Sequence, residues 1–510
     1  MSKVIIIGAG LAGSLLSTFF AKRGIATDVY EARGDMRKEE MSAGRSINLA
    51  LSDRGIRALS AVGMDDYMLK EAVPMYGRLI HPVAGSTKLL PYSGREGEYI
   101  NSVSRGGLNE ALIDEADKYP ASTFHFHERC VGFDCESGEA RFRNTETGEE
   151  KTIKGETVIA TDGAGSAVRQ SMMNRGVERF NYSQHFLKHG YKELRIPPVS
   201  EFKGEVPETA NGEFLLEKNA LHIWARHQYM MIALPNFDGS FTCTLFLAFE
   251  GKDSFEAIEN GTWGLEKSSR GSAQMNADSE KEPRENEDPK EFPSSSFRSA
   301  SDPRSSAAKI PAVEALIRFY EVNFPDAVLL MPDLVEDFFD NPTGDLGTVK
   351  CFPWNVGGKA LLLGDSAHAI VPFYGQGMNA AFEDCRILDG LIDSHGLEWE
   401  TVFTEYSELR KVNTDAIADL AVENFYEMRD HVADPVFVRK RDLETKLERE
   451  YPDYFSKYSL VTFREDIPYS EAQRRGNSQN EVLMKLCEDI SDISELDMDE
   501  VMAKVSDLEY

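Results

Sequence analysis

A chain of 510 residues, 41% of them hydrophobic, can bury a large core and divides into more than one domain. Its formal charge of −30 disfavours polyanionic partners, both nucleic acid and anionic membrane surfaces. The six cysteines show no metal-ligand spacing, so reduced thiols and no metal site are expected. No apolar run approaches about 18 residues, and the N-terminus runs straight into a strand, so neither a membrane span nor a signal peptide is expected.

The first predicted strand is Val4–Ile7, followed at once by Gly8-Ala9-Gly10-Leu11-Ala12-Gly13 and a helix marked by Leu15, Leu16, Phe19 and Phe20. A second strand, Thr27–Tyr30, ends in Glu31. Strand, G-x-G-x-x-G, helix, strand and an acidic residue about 20 positions on form a complete dinucleotide-binding unit. Its glycines let the backbone approach a pyrophosphate, and its carboxylate binds a ribose hydroxyl pair. The unit does not by itself separate FAD from NAD.

A charged loop from Arg33 to Glu40 leads to alternating Ile47, Leu49 and Leu51, a strand, and to a helix from Arg54. Two strands joined by a turn at Gly85 are predicted over 74–100. Arg78 lies inside that apolar strand pattern, where a guanidinium is costly to bury without a carboxylate. It is either an outward-facing edge residue or a ligand-binding one. A helix carries Leu108, Leu112 and Ala116. A further apolar strand at Thr157–Ala160 runs into Asp162-Gly163, which in isolation is only a turn. Alternation over 180–250 predicts antiparallel strands whose methionines and aromatics pack a core. Residues 263–308, rich in Ser, Glu, Pro and Arg, are predicted to be a disordered insertion.

Beyond a helix at 313–320, the stretch from Leu361 to Asp384 organises the chain. A short strand ends at Gly364-Asp365, Pro372, Gly375 and Gly377 break the backbone, and a helix starts near Met378. Its free N–H groups and positive dipole end suit an electron-rich or anionic partner. Residues 396–510 are mainly helical and end in an acidic tail from Glu488.

In this order, GAGLAG, ATDGAGSAVR and LLLGDSAHAIVPFYGQGMN resemble the motifs of the single-component FAD-dependent aromatic hydroxylases. GRSINLALS from Gly44, YINSVSR from Tyr99, HIWAR from His222, MMIALPN from Met230, FTCTLF from Phe241 and NFYEMR from Asn424 are similar to the kynurenine-hydroxylating branch. The resemblance covers most of 1–250 and 310–465. It implies an α/β fold: a Rossmann-like FAD-binding domain with a parallel sheet (1–73, 101–180, 346–395), an inserted antiparallel-sheet substrate domain (74–100, 181–262, 309–345) and a helical C-terminal region (396–510).

It also implies non-covalent FAD held by Gly8, Gly10, Ala12, Gly13, Glu31, Arg33, Ala50, Arg105, Val131, Asp162, Asp365, Gly377, Met378 and Asn379. Arg45 shares the loop before Ala50 and reads equally as a solvated arginine. The implied substrate is L-kynurenine, bound by Arg78, Tyr92, Asn424 and Tyr458, with Phe373 and Tyr374 between it and the flavin. NADPH binds transiently, since no second dinucleotide fold is evident, and O2 attacks ring position 3 through a flavin C4a-hydroperoxide. The ring amine activates that carbon, so no residue is assigned as acid or base, and His81 is read as structural. The relatives' hydrophobic C-terminal anchor is replaced here by the acidic tail, implying a soluble cytoplasmic enzyme. Two alternatives stay open: the same chemistry on another aromatic acid, and an FAD-binding protein with an interaction role through the insertion.

Overall fold

The computed structural model describes residues 3–38, 48–175, 179–208, 210–265, 306–431 and 434–508. Val4–Ile7 lies inside a six-stranded sheet whose order is 355–356, 360–362, 158–160, 4–7, 27–30, 122–125. Neighbours are parallel except at the short edge strand Asn355–Val356. Its inner strands are apolar throughout because both faces are covered: all four residues of Val4–Ile7 and all three of Val158–Ala160 are buried. The helices Leu11–Lys22 and Gly377–His395 pack into the same core.

A second sheet of seven strands has the order 344–352, 181–196, 241–248, 230–235, 221–225, 77–80, 88–91. It is antiparallel except where Leu221–Ala225 runs parallel to Gly77–Ile80. The two-residue period of a strand separates its faces. Trp224, Met231 and Leu245 pack beneath the helices Ser306–Asn323 and Leu334–Asp340. Ile223, Met230 and Phe246 face the turn Pro372–Tyr374 and the C-terminal helices. The helices Trp399–Tyr426, Pro435–Glu450, Lys457–Thr462 and Tyr469–Glu488 form the third part.

The structure departs from the sequence expectations at several boundaries. Trp263, expected to open the disordered insertion, is buried; its indole donates to Asp253 at 2.8 Å and its ring packs on Phe319 at 5.1 Å. The helix Ser306–Asn323 begins before the insertion was expected to end. Residues 266–305, and Arg45, lie outside the described residues. Gly344–Phe352 completes the seven-stranded sheet, so the chain returns to the nucleotide fold at Asn355 rather than 346. The acidic stretch after Glu488 is folded rather than a tail. Asp497 caps the helix Met498–Ser506, which buries Met498, Val501 and Val505, an apolar spacing of three and four. Among the described residues no helix is long and apolar enough to cross a membrane, and all six cysteines are unpaired.

Candidate active site

Three strand ends converge at one edge of the parallel sheet, the position where open α/β sheets bind ligands. Gly8 leaves the first strand with φ of +98°, and a Cβ there would lie 2.6 Å from the Thr161 carbonyl oxygen. A Cβ on Gly13 would lie 1.9 Å from the Gly8 carbonyl oxygen. Glycine at position 8 therefore lets the Thr161-Asp162 turn approach backbone to backbone, and glycine at position 13 lets the Gly8–Gly13 turn close on itself beside the Thr161 hydroxyl. Gly364, with φ of +64°, brings the Gly364-Asp365 turn against Ala12: a Cβ on it would lie 3.4 Å from that of Ala12. Arg169 ties the last two turns, donating to the Ser366 carbonyl at 2.6 Å and to the Ala164 carbonyl.

The carboxylates at this edge sit in different environments. Glu31 accepts from the Ala9 N–H at 2.8 Å through Oε2, and from the Arg33 N–H and Nε at 2.9 and 2.7 Å through Oε1. Burial pushes its pKa up, but Arg33 and the Ala9 N–H outweigh that and leave it below the usual value. Asp162 accepts from the Ala167 N–H at 2.8 Å through Oδ2. Its Oδ1 is buried with no hydrogen-bond partner among the described residues. Burial raises the Asp162 carboxyl despite the bonds from Ser166 and the Ala167 backbone. Asp365 is exposed at the start of the short helix Asp365–His368.

The helix Gly377–His395 makes its first backbone bond from Ala380 to the Gln376 carbonyl. The N–H groups of Gly377, Met378 and Asn379 precede that bond and stand at the positive end of a 19-residue helix. A Cβ on Gly375 would meet that of Ala50 at 3.0 Å, so Ala50 lies at the same end. The Asn379 side chain is committed internally: it donates to the carbonyls of Ala50 and Gly375, both at 2.8 Å, and accepts from the Ser52 N–H at 3.0 Å. Only its backbone N–H is left for a ligand at this helix end. These features fit FAD. Close-packed glycine turns admit a pyrophosphate, the unpartnered Asp162 oxygen suits a ribityl hydroxyl, and free helix N–H groups suit the electron-rich edge of the flavin ring.

Arg105 begins the helix Arg105–Asp117 and is exposed; its charge acts on Tyr191 of the larger sheet. Val131 is half-buried in the strand Glu128–Asp134, next to Cys130, whose thiol burial and Asp162 push up to about 12.

The residues expected to bind substrate gather beside the Pro372–Tyr374 turn. Arg78 is buried rather than on an open edge, at 8% exposure. Its guanidinium carbon lies 5.0 Å from the Tyr458 ring centre and 5.9 Å from that of Tyr92. Tyr458 stacks on Tyr92 at 5.0 Å and on Tyr374 at 5.6 Å. The Nε of Arg78 and the hydroxyl of Tyr92 have no hydrogen-bond partner among the described residues. Asn424 donates to the Phe373 carbonyl at 2.6 Å and so holds the turn. Phe373 itself packs on Phe425 at 4.5 Å and Phe246 at 4.8 Å. Burial raises the phenol pKa of Tyr92, Tyr374 and Tyr458, so all three stay neutral donors.

Glu427, Lys440 and Arg441 also line this cleft and were not singled out from the sequence. Glu427 Oε1 lies 3.7 Å from Arg78 Nη1. Burial pushes its carboxyl up, but Lys440, Arg78, Arg441 and Lys457 outweigh that and hold it down. The helical spacing Asn424–Glu427 was the available signal, since residues three apart share a face. Arg441 bonds the carbonyls of Pro91 and Tyr92 at 3.2 and 3.5 Å, pinning the strand end that carries Tyr92. The enclosed space is about 20 Å³, room for one water, so a larger ligand must displace side chains of the lining. His81 lies outside the cleft, bonded to Asp326 at 2.6 Å and His222 at 2.9 Å, as expected of a structural residue.

Fold and cradle together define a flavoprotein aromatic hydroxylase. The FAD binding domain family model matches residues 1–205. Among solved structures, p-nitrophenol 4-monooxygenase from Pseudomonas putida superposes with a TM-score of 0.61 at 13% identity, over 92% of this chain and 98% of that one. The tetrameric 2-methyl-3-hydroxypyridine-5-carboxylic acid oxygenase gives 0.57 at 17%, over 88% and 97%. The kynurenine 3-monooxygenase of Myxococcus xanthus is 41% identical over 97% of this chain and 93% of its own length. That of Dictyostelium discoideum is 38% identical over 98% and 96%. The chain belongs to the kynurenine 3-monooxygenase family.

Proposed function

We propose that this protein hydroxylates L-kynurenine at ring position 3: L-kynurenine, O2, NADPH and a proton give 3-hydroxy-L-kynurenine, NADP+ and water. FAD, when bound, supplies the electron transfer and oxygen activation. The chain's own residues bind, orient and exclude water. The Gly8–Gly13 turn, Glu31, Asp162, Asp365 and the N–H groups at Gly377–Asn379 hold the cofactor, with Ala50 beside them and Arg33, Arg105 and Val131 at its margins. Arg78 takes the substrate carboxylate, with the Tyr92 hydroxyl as a further donor. Glu427, released from Arg78, takes the α-ammonium. Tyr458, Tyr374 and Phe373 enclose the aromatic ring, and Asn424 fixes the Phe373 carbonyl. No acid or base is needed at the ring, because its own amine activates position 3. The unpaired thiols fit a reducing, cytoplasmic setting.

The observation that carries this reading is the buried Arg78 guanidinium beside the stacked Tyr92 and Tyr458 rings, with an unbonded Nε and a single distant carboxylate. Such a cation is costly unless a second anion completes it. Kynuramine, which lacks the carboxylate, provides the test. Its affinity for the FAD-loaded protein is expected to be at least about 30-fold below that of L-kynurenine, matching the loss of about 2 kcal/mol. Equal affinities would remove Arg78 from substrate recognition.

A further inference from the structure

Arg54 is among the largest fully buried side chains of the protein, yet it contacts neither cradle nor cleft directly. It sits in the helix Asp53–Ala61, just after the Ala50 strand. Its Nη1 donates to Glu383 Oε1 at 2.7 Å. Its Nε points to the Val461 carbonyl at 3.4 Å, and its Nη2 donates to the Arg464 carbonyl at 3.0 Å and to that of Ile467. The guanidinium carbon lies over the Tyr469 ring, 3.9 Å from its centre. The Tyr469 hydroxyl in turn donates to Gln376 Oε1 at 2.9 Å.

These partners belong to the two halves of the site. Gln376 and Glu383 mark the start and second turn of the helix whose N–H groups face the flavin. Val461 is in the helix Lys457–Thr462, which carries Tyr458, and Arg464 and Ile467 follow it. Neutralising Glu383 does not require this arrangement, because Arg410 already bonds its other oxygen at 2.6 Å. The fork of Arg54 spends one arm on the flavin helix and the rest on the segment behind Tyr458. A planar five-donor group can bridge two elements in this way; an ammonium, as a point charge, cannot.

We infer that Arg54 is a positioning residue that couples the two sites, setting the Tyr458 wall relative to the flavin-binding helix so that FAD and substrate strengthen each other's binding. The inference rests on the substrate reading above. Because binding coupling is reciprocal, the factor by which L-kynurenine tightens FAD equals the factor by which FAD tightens L-kynurenine.

The test measures the FAD dissociation constant from the fluorescence of released flavin, with and without saturating L-kynurenine. It compares wild type, Arg54→Lys, Glu383→Gln and, as a control, Arg23→Lys. Arg23 bonds Asp389 and Asp393 on the exposed side of the same flavin helix. Wild type and Arg23→Lys are expected to bind FAD at least about fivefold tighter with L-kynurenine present. Arg54→Lys is expected to bring that factor below about twofold. Glu383→Gln, which removes the charge held by the Arg54 arm on the flavin helix and by Arg410, is expected to lower it too, and decides the question if Arg54→Lys does not fold. A full factor in the folded Arg54 or Glu383 variant overturns the inference, as does an equal loss in Arg23→Lys. Wild type that binds L-kynurenine without any factor also overturns it. Wild type that does not bind L-kynurenine at all overturns the substrate reading and this inference with it, a distinct outcome.

Discussion

Replacing Arg78 by alanine removes the buried cation proposed to receive the substrate carboxylate, and the structure sets the size of the effect. The guanidinium is buried in an aromatic sleeve, so each charge-assisted bond to a carboxylate is worth on the order of 1.5–3 kcal/mol. A bidentate pair would double that, but binding also breaks the Arg78–Glu427 contact at 3.7 Å. The net loss is about 2–4 kcal/mol, a roughly 30- to 700-fold rise in KM. Among the described residues, Arg78 makes no contact with the glycine turns or the Gly377 helix start, so the variant should stay yellow and lose little in kcat. Steady-state kinetics against L-kynurenine, with flavin content read from the visible spectrum, measures both. A KM within about twofold of wild type would refute the reasoning, since no carboxylate contact on this scale leaves affinity untouched.

Gly13→Ala should prevent close packing of the dinucleotide turn, because the new Cβ would lie 1.9 Å from the Gly8 carbonyl oxygen. The expected cost is about 1–3 kcal/mol with loss of bound flavin; a yellow protein with unchanged thermal midpoint would contradict it. Asp365→Ala should weaken FAD retention while leaving the apoprotein midpoint unchanged, because the side chain is exposed and holds no core contact; full flavin occupancy after gel filtration would remove Asp365 from the site. Asp384 is fully buried, and although burial pushes its carboxyl up, His368 and Arg410 hold it down to about 2. Its folded value lies below the unfolded value near 3.9, so its stabilisation is present above about pH 4 and fades as pH falls through about 2. The stability gap between wild type and Asp384→Asn should therefore shrink by about 2 kcal/mol from pH 5 to pH 2, and denaturant titrations showing a constant gap would refute that role.

What the sequence revealed was mostly local. Gly8, Gly13 and Gly364 are legible because a strand, a glycine and a helix follow one another within a few residues, and the structure needs glycine there, for close approach at Gly8 and Gly13 and for a positive φ at Gly364. Arg78 stands out because a charge interrupts an apolar alternation. The resemblance supplied Tyr92, Asn424 and Tyr458, which periodicity alone could not distinguish from core residues. The distant pairings stayed hidden. Arg54 meets Glu383 and the 461–467 segment across more than 300 positions, and nothing in its own helix pattern marks it as buried. Composition misplaced the edges of the Ser- and Glu-rich segment, because a window average dilutes the single buried Trp263. It likewise read the C-terminal acidic stretch as a tail, although Met498, Val501 and Val505 carry a helical apolar stripe within it. For Asn379 the side-chain amide is consumed by the Ala50 and Gly375 carbonyls, a long-range pairing with the first that the sequence does not show.

The most direct test of the account follows NADPH oxidation by the purified, FAD-loaded protein with and without L-kynurenine, while 3-hydroxy-L-kynurenine is quantified. The account predicts a flavin spectrum, oxidation stimulated by L-kynurenine, and one hydroxylated product formed per NADPH consumed. Flavin-bound protein whose NADPH oxidation ignores L-kynurenine, or that consumes NADPH without making the product, would contradict it.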